Sequence, residues 1–264
     1  MHKKHRVSWG FLPQLNWELA SIANTIAFRS GAWLSQKAKS RAYPARLLRY
    51  WFMYHFLRIE SEHAGQALSV CEVGIDKGQM RGFVSAASEL DPSTAPAITS
   101  WTGVDMHLQH EYLEKLEYTK LLEERLENAD NFLNPAPDVV ILLHILEHLL
   151  EPEEAVITLS KHMKPGSIII GGLPSLPRIF EASREKKIRP KPNDNGHVSA
   201  FSPKRMTLLA QQAGLELEFL SGAFFIRASG SWLEDQTWWI RFGLLFSRLF
   251  PSWPGETYWV LRKK

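Results

Sequence analysis

Apolar residues along this chain follow two rhythms. From Leu68 onward they come in short runs closed by Gly, Pro, Asp or Asn: LSVCEV at 68–73, ITSWTGVD at 98–105, a weaker run near Tyr118 to Glu123, and VVILL at 139–143. SIIIGGLP after Lys164-Pro165-Gly166, LELEFL after Gly214 and ETYWVLRKK at 256–264 continue the series. Runs of this length bounded by turn residues predict buried strands. Between them the spacing turns helical, first from Gly78 to Leu90 and later from Ser202-Pro203, a helix start, to Gly214, a helix stop. Strands alternating with helices predict a largely parallel sheet covered on both faces.

Ahead of the first strand the helical rhythm stands alone. Leu15, Leu19, Ile22, Ile26 and Trp33 share one face of a helix over residues 14–35. Pro44 then opens a second helix carrying Leu47, Leu48, Trp51, Phe52, Phe56 and Leu57, with Arg46, Arg49 and Arg58 between them. Aromatics interleaved with arginines suit core packing as well as nucleic acid, and no RNA-binding signature accompanies them, so nucleic acid is not expected as a partner. The chain therefore divides into a basic helical extension, 1–64, and a sheet domain, 65–264. Within the latter, 230–253 is an apolar helical insertion and 254–264 the last strand.

Charge changes this picture only at the ends. Lys plus Arg against Asp plus Glu runs 10 to 2 over residues 1–60, 16 to 25 over 61–235, and 5 to 1 over 236–264. Basic ends around an acidic middle suit an anionic partner, or the packing of the ends on the centre. In the insertion, Trp238, Trp239, Ile240, Phe242, Leu245, Phe246, Leu249 and Phe250 cover most of a helix, with Arg241 and Arg248 falling together on a narrow polar stripe. So much apolar surface needs a second partner, either an anionic membrane surface or protein, the latter being a homodimer mate or the N-terminal helices. No stretch of 18 uncharged apolar residues occurs, and the single cysteine, Cys71, lies within a strand run as a small core residue. The expected location is cytoplasmic, with peripheral contact at the inner face of the membrane.

Chemistry concentrates where strands end. After the first strand, Glu72-Val-Gly-Ile-Asp-Lys-Gly places Gly74 and Gly78 in a turn leading into a helix whose opening amides face outward. The second strand ends in Asp105, at the spacing of a ribose-binding carboxylate. A dinucleotide cradle is disfavoured, because the GxGxxG spacing is absent. After the fourth strand stands Leu146-Glu147-His148, before the fifth Lys164-Pro165-Gly166-Ser167, and further on Gly196-His197-Val198-Ser199-Ala200-Phe201-Ser202-Pro203.

Over roughly residues 65–229 and the final strand, these motifs resemble the class I S-adenosylmethionine-dependent methyltransferases with LEH, KPGG and GHVxxFSP signatures. The resemblance implies an α/β, doubly wound, Rossmann-like sheet of seven strands with an N-terminal helical cap and a helical insertion before the last, antiparallel strand. It implies S-adenosylmethionine as cofactor, with Glu72, Gly74, Asp76 and Gly78 on its methionine side, Asp105 at the ribose and Asp130 near the adenine. The family usually has glycine at Asp76; here the carboxylate is expected to point to the cofactor's amino group. His144 completes the expected cofactor set. His148 and His197 are the expected catalytic bases for a hydroxyl acceptor, making O-methylation of a small-molecule, lipid or glycan acceptor the favoured activity. An RNA 2′-O-methyltransferase-like enzyme and a non-catalytic binding protein keeping the fold are the alternatives.

One further arrangement stays open. His144, Glu147 and His148, at i, i+3 and i+4, share a face if the segment is helical, and with His197 they make four ligands for a divalent metal, zinc rather than magnesium. Metal-independent relatives carry the same LEH and GHV motifs, so no metal is assigned. Lastly, Pro174 to Pro192 carries Arg184, Lys186, Lys187, Arg189 and Lys191 on the side where such folds bind substrate, as an acidic-substrate loop or a solvated one.

Overall fold

In the computed structural model, residues 7–12, 43–189, 196–226 and 232–264 are described. The helix expected over 14–35 lies outside them. The seven expected strands form one sheet: β1 (Leu68–Val73), β2 (Ile98–Asp105), β3 (Lys120–Glu123), β4 (Val139–Leu143), β5 (Ile168–Ser175), β6 (Leu215–Gly222) and β7 (Gly255–Lys263). Their order is β3-β2-β1-β4-β5-β7-β6. The first five are parallel, and β7 inserts antiparallel between β5 and β6. Cys71, Val140 and Ile169 are buried within this parallel run of strands, as its near-continuous apolar sequence requires. The strand order reverses direction at β1 and β4, and it is outside the carboxyl ends there that such sheets bind ligands.

The helices are α1 (Tyr43–Ala64), α2 (Gln79–Leu90), α3 (His110–Leu113), α4 (Ala129–Phe132), α5 (Pro152–His162), α6 (Arg178–Ile188), α7 (Pro203–Gln212) and α8 (Thr237–Leu249). Two cores result, one on each face. Alternation along β7 shows the division, since Tyr258 and Val260 enter one core while Trp259 and Leu261 enter the other. On the first face α1 supplies the aromatic mass: Phe52 stacks on Tyr258 at 4.2 Å and Phe56 packs edge-on to Phe219. Each fully buried phenylalanine contributes roughly 1.5–3 kcal/mol by leaving water. The aromatics of α1 are thus occupied as core. On the second face, Leu159 of α5 and Met206 and Leu209 of α7 close over Trp259. Gly171 and Gly172 of β5 leave the room these rings need, because a Cβ at either would overlap Trp259 or Tyr258.

Three local expectations change. The basic stretch after β5 is not a loop but contains α6, which has no buried residue. The segment after β4 is not an α-helix: only Leu146–His148 turns, as a 3-10 helix, and His144 has a left-handed φ of 58°. On α8, Ile240, Gly243, Leu244 and Ser247 face the core, and Arg248 turns inward to the Leu220 carbonyl and the Phe219 ring instead of sharing an outer stripe with Arg241. That leaves Trp238, Phe242, Leu245, Leu249, Phe250 and Trp253 exposed on the other side. No helix among the described residues is long and apolar enough to cross a membrane.

Candidate functional site

At the end of β1 the parallel ladder to β2 runs one residue past the strand. The Gly74 amide donates to the Val104 carbonyl at 2.7 Å, and Gly74 has a left-handed φ of 75°. A Cβ there would overlap Ile145, so the turn needs glycine for both backbone and space. Asp76 adopts φ 46°, in the left-handed region that favours glycine, the residue the resemblance leads one to expect at this position. Aspartate tolerates that region better than most residues. Its amide donates to Asp105 Oδ2 at 2.9 Å, and the His107 amide donates to Oδ1 at 3.2 Å. Asp105, at the tip of β2, is thereby locked beside the first loop. The Asp76 carboxylate accepts from Gln79 Nε2 at 3.0 Å and from Gln109 Nε2 at 2.6 Å, tying the first loop to the loop after β2. Gly78, φ 71°, starts α2.

Glu72 lies beneath this loop and is buried. Its Oε2 accepts from Trp101 Nε1 at 2.9 Å and from the Tyr118 hydroxyl at 3.2 Å. Burial pushes its carboxyl up to about 7, against the pull of those two hydrogen bonds. Asp130 is exposed on α4, on the turn that follows β3.

The second cluster gathers at the end of β4. The amides of Val198 and Ser199 both donate to the Glu147 carbonyl, at 2.8 and 3.0 Å, and Ser199 Oγ donates to the Leu149 carbonyl at 2.7 Å. These bonds join the LEH and GHV segments physically. They bring the rings of His148 and His197 edge-to-face with centroids 5.0 Å apart. With Gly196 O 3.2 Å from His148 Nδ1, the tautomer that donates there leaves Nε2 as the lone-pair nitrogen. Burial depresses the His197 pKa, and the charges of His148, His144 and Arg184 depress it further against the opposing pull of Glu147.

His144 does not join this pair. Its Nδ1 lies 2.9 Å from Glu147 Oε1 and its Nε2 is 3.7 Å from Glu256 Oε2. Burial works against its protonation, but the hydrogen bond to Glu147 and the nearby Glu256 carboxylate outweigh it and raise its pKa. Glu256, at the start of β7, also accepts from Arg49 Nη2 of α1 at 3.1 Å and from the Tyr258 hydroxyl at 2.5 Å. Nothing local in the sequence marks Arg49 or Glu256 as part of this cluster. They lie about two hundred positions apart, and the one available signal is an acid ahead of the apolar run 258–261 in the final strand.

The four-ligand metal set therefore does not assemble. Glu147, His148 and His197 offer ligand atoms within 4.8 Å of one another, while His144 is held between two carboxylates. Glu147 is 1% exposed and its Oε2 has no hydrogen-bond partner, which suits a three-ligand cation site as well as a protonated histidine nearby. On the cofactor side, the Asp105 carboxylate at the tip of β2 fits a ribose, and the Asp76 carboxylate fits an ammonium group.

The sequence profile of a family described as a methyltransferase domain matches residues 34–219. Solved structures share the architecture at low identity. A protein of Bacillus halodurans is 17% identical with a TM-score of 0.50, over 78% of this chain and 98% of its own. The plantazolicin methyltransferase BamL, solved with S-adenosylhomocysteine and a desmethyl-plantazolicin analogue, is 13% identical with a TM-score of 0.51, over 94% and 93%. The methyltransferase CalH, solved with S-adenosylhomocysteine, is 14% identical with a TM-score of 0.51, over 83% and 61%. No curated protein matches the chain.

Proposed function

We propose that this chain, which belongs to the family of S-adenosylmethionine-dependent methyltransferases, methylates a hydroxyl oxygen of a small lipid- or glycan-like acceptor. The observation that carries the choice of oxygen is the His148–His197 pair beside the buried Glu147, since a hydroxyl needs a base and an amine or thiolate does not. S-adenosylmethionine supplies an electrophilic methyl group on a sulfonium. In this reading Asp105 accepts from the ribose hydroxyls, the turn at Gly74 and Gly78 gives the backbone close approach, Asp76 meets the ammonium group and Asp130 lies near the adenine. Glu72 supports the loop from below, through Trp101 and Tyr118. His144 fixes the orientation of Glu147 at the cofactor's methyl end.

On the acceptor side, His197 takes the hydroxyl proton as the oxygen becomes methylated. Its depressed pKa keeps the ring neutral and ready at pH 7. Glu147 faces the imidazolium that results, and His148 restricts the ring edge-on. Much of the acceleration comes from holding acceptor oxygen and methyl carbon in line. The exposed aromatic face of α8, with Trp238 57% and Leu249 58% exposed, supports peripheral contact with an anionic membrane; a homodimer is the competing use of that face. A cation held by Glu147, His148 and His197 is the second reading, favoured by the unpaired Glu147 Oε2. Exhaustive chelation without loss of activity removes it.

The test supplies methyl-labelled S-adenosylmethionine and purified protein to a fractionated cell extract. Label is expected in an alkali-stable ether of the lipid or glycan fraction, and His197→Ala is expected to slow transfer about 100-fold or more. Label on nitrogen, or an unchanged rate in a His148→Ala/His197→Ala double variant, overturns the assignment.

A further inference from the structure

Helix α6 is held to the body of the protein by its acids. Glu181 accepts from the Ser202 hydroxyl, and Glu185 accepts from Arg205 Nη1 at 2.5 Å and from the Ala200 amide at 3.2 Å. Ser202 and Arg205 lie at the start of α7, so the acidic side of α6 is spent on docking. Two of its cations lie on an adjoining face. Arg184 and Lys187, three residues apart and so on one face, line a cavity of about 530 Å³ together with Ile188 and His197. Among the described residues neither cation has an ion-pair partner. Two cations of one sign therefore converge on a cavity whose wall includes the imidazole assigned above as base, a geometry that suits an anion beside that ring.

We infer that the acceptor carries an anionic group, a phosphate or carboxylate, which binds between Arg184 and Lys187 while a hydroxyl of the same molecule reaches His197. This rests on the function proposed above and narrows its acceptor to an acidic one. Arg184 offers a planar fork to two oxygens, Lys187 a point charge, and Ile188 an apolar wall for the carbon skeleton between anion and hydroxyl. The bound anion then positions the hydroxyl at His197.

The test titrates the full chain, loaded with S-adenosylhomocysteine, with inorganic phosphate, glycerol 3-phosphate, glucuronate and neutral glucose, following the His197 ring resonances by nuclear magnetic resonance. Saturable shifts are expected with the three anions and none with glucose. An Arg184→Gln/Lys187→Gln variant, altered only at exposed positions, is expected to bind the anions at least tenfold more weakly while keeping its affinity for S-adenosylhomocysteine. Phosphate against glucuronate distinguishes a phosphoryl from a carboxylate site. Vesicles containing phosphatidic acid, compared with glycerol 3-phosphate, distinguish a lipid headgroup from a soluble ester. Equal anion binding by parent and variant, or none by the parent, overturns the inference. Failure of the parent to bind S-adenosylhomocysteine strikes instead at the function on which it rests.

Discussion

At the end of β1 the candidate groups are set by the backbone; at the end of β4 they are set by side chains. Gly74, Asp76 and Gly78 all take positive φ, and Asp105 is fixed by two main-chain amides, that of Asp76 within the turn and that of His107 two residues further along its own strand end. By contrast, the β4 rim joins His144, Glu147, His197, Arg49 and Glu256, drawn from four distant parts of the chain. The first region is a local device that a short motif can specify. The second exists only once α1, the GHV segment and β7 have docked. In the function proposed above, the first region meets the cofactor and the second the acceptor.

The largest expected effect separates the two by attacking the docking. Phe52→Ala removes the ring that stacks on Tyr258 and leaves a cavity under the start of β7. It should cost about 3–5 kcal/mol in urea unfolding. In whatever fraction stays folded, acceptor turnover should fall further than affinity for S-adenosylhomocysteine. Equal losses of both would mean that the two regions are not independent.

A somewhat smaller effect belongs to the first region. The Glu72 carboxyl is raised to about 7 by burial, from 4.5. Folded chain thus holds a proton that unfolded chain releases across that window, and stability is expected to be full below about pH 4.5 and to decline as pH rises to about 7. The loss from this group is on the order of 3 kcal/mol. Glu72→Gln should remove this group's share of the slope, seen by comparing denaturant midpoints of parent and variant at pH 5 and pH 8. A variant with the parent's slope would show that Glu72 ionises without penalty.

The smallest effect sharpens the second region. Because the His197 pKa is depressed below 6.5, the base form survives mild acid, and the acidic limb of kcat/KM should lie below 6.5. An acidic limb above 6.5 would assign the proton transfer to another group.

Sequence patterning carried the strands and the glycine turn because both are written in contiguous residues. Val139–Leu143 is a run of five apolar residues, and Asp105 closes its strand as expected. Two things were not legible. The segment after β4 has helical spacing, but His144 at φ 58° and the hydrogen bonds from Val198 and Ser199 to the Glu147 carbonyl favour a tight turn there. Spacing along the chain cannot reveal bonds that arrive from fifty residues away. Arg248 similarly shares a helical stripe with Arg241, yet the Leu220 carbonyl and the Phe219 ring draw it inward. The clustering of Arg49, Glu256 and His144 depends on β7 inserting beside β5, a matter of topology rather than of local pattern.

The central claim is that the loop after β1 and the tip of β2 form the cofactor cradle, and isothermal calorimetry with S-adenosylhomocysteine tests it most directly. The parent should bind with one-to-one stoichiometry, and Asp105→Ala, which deletes both ribose acceptors, should bind at least about tenfold more weakly, from the loss of about 1.5–3 kcal/mol per charge-assisted bond. His197→Ala should keep the parent's affinity. Parent and Asp105→Ala chains that bind equally well would contradict the account.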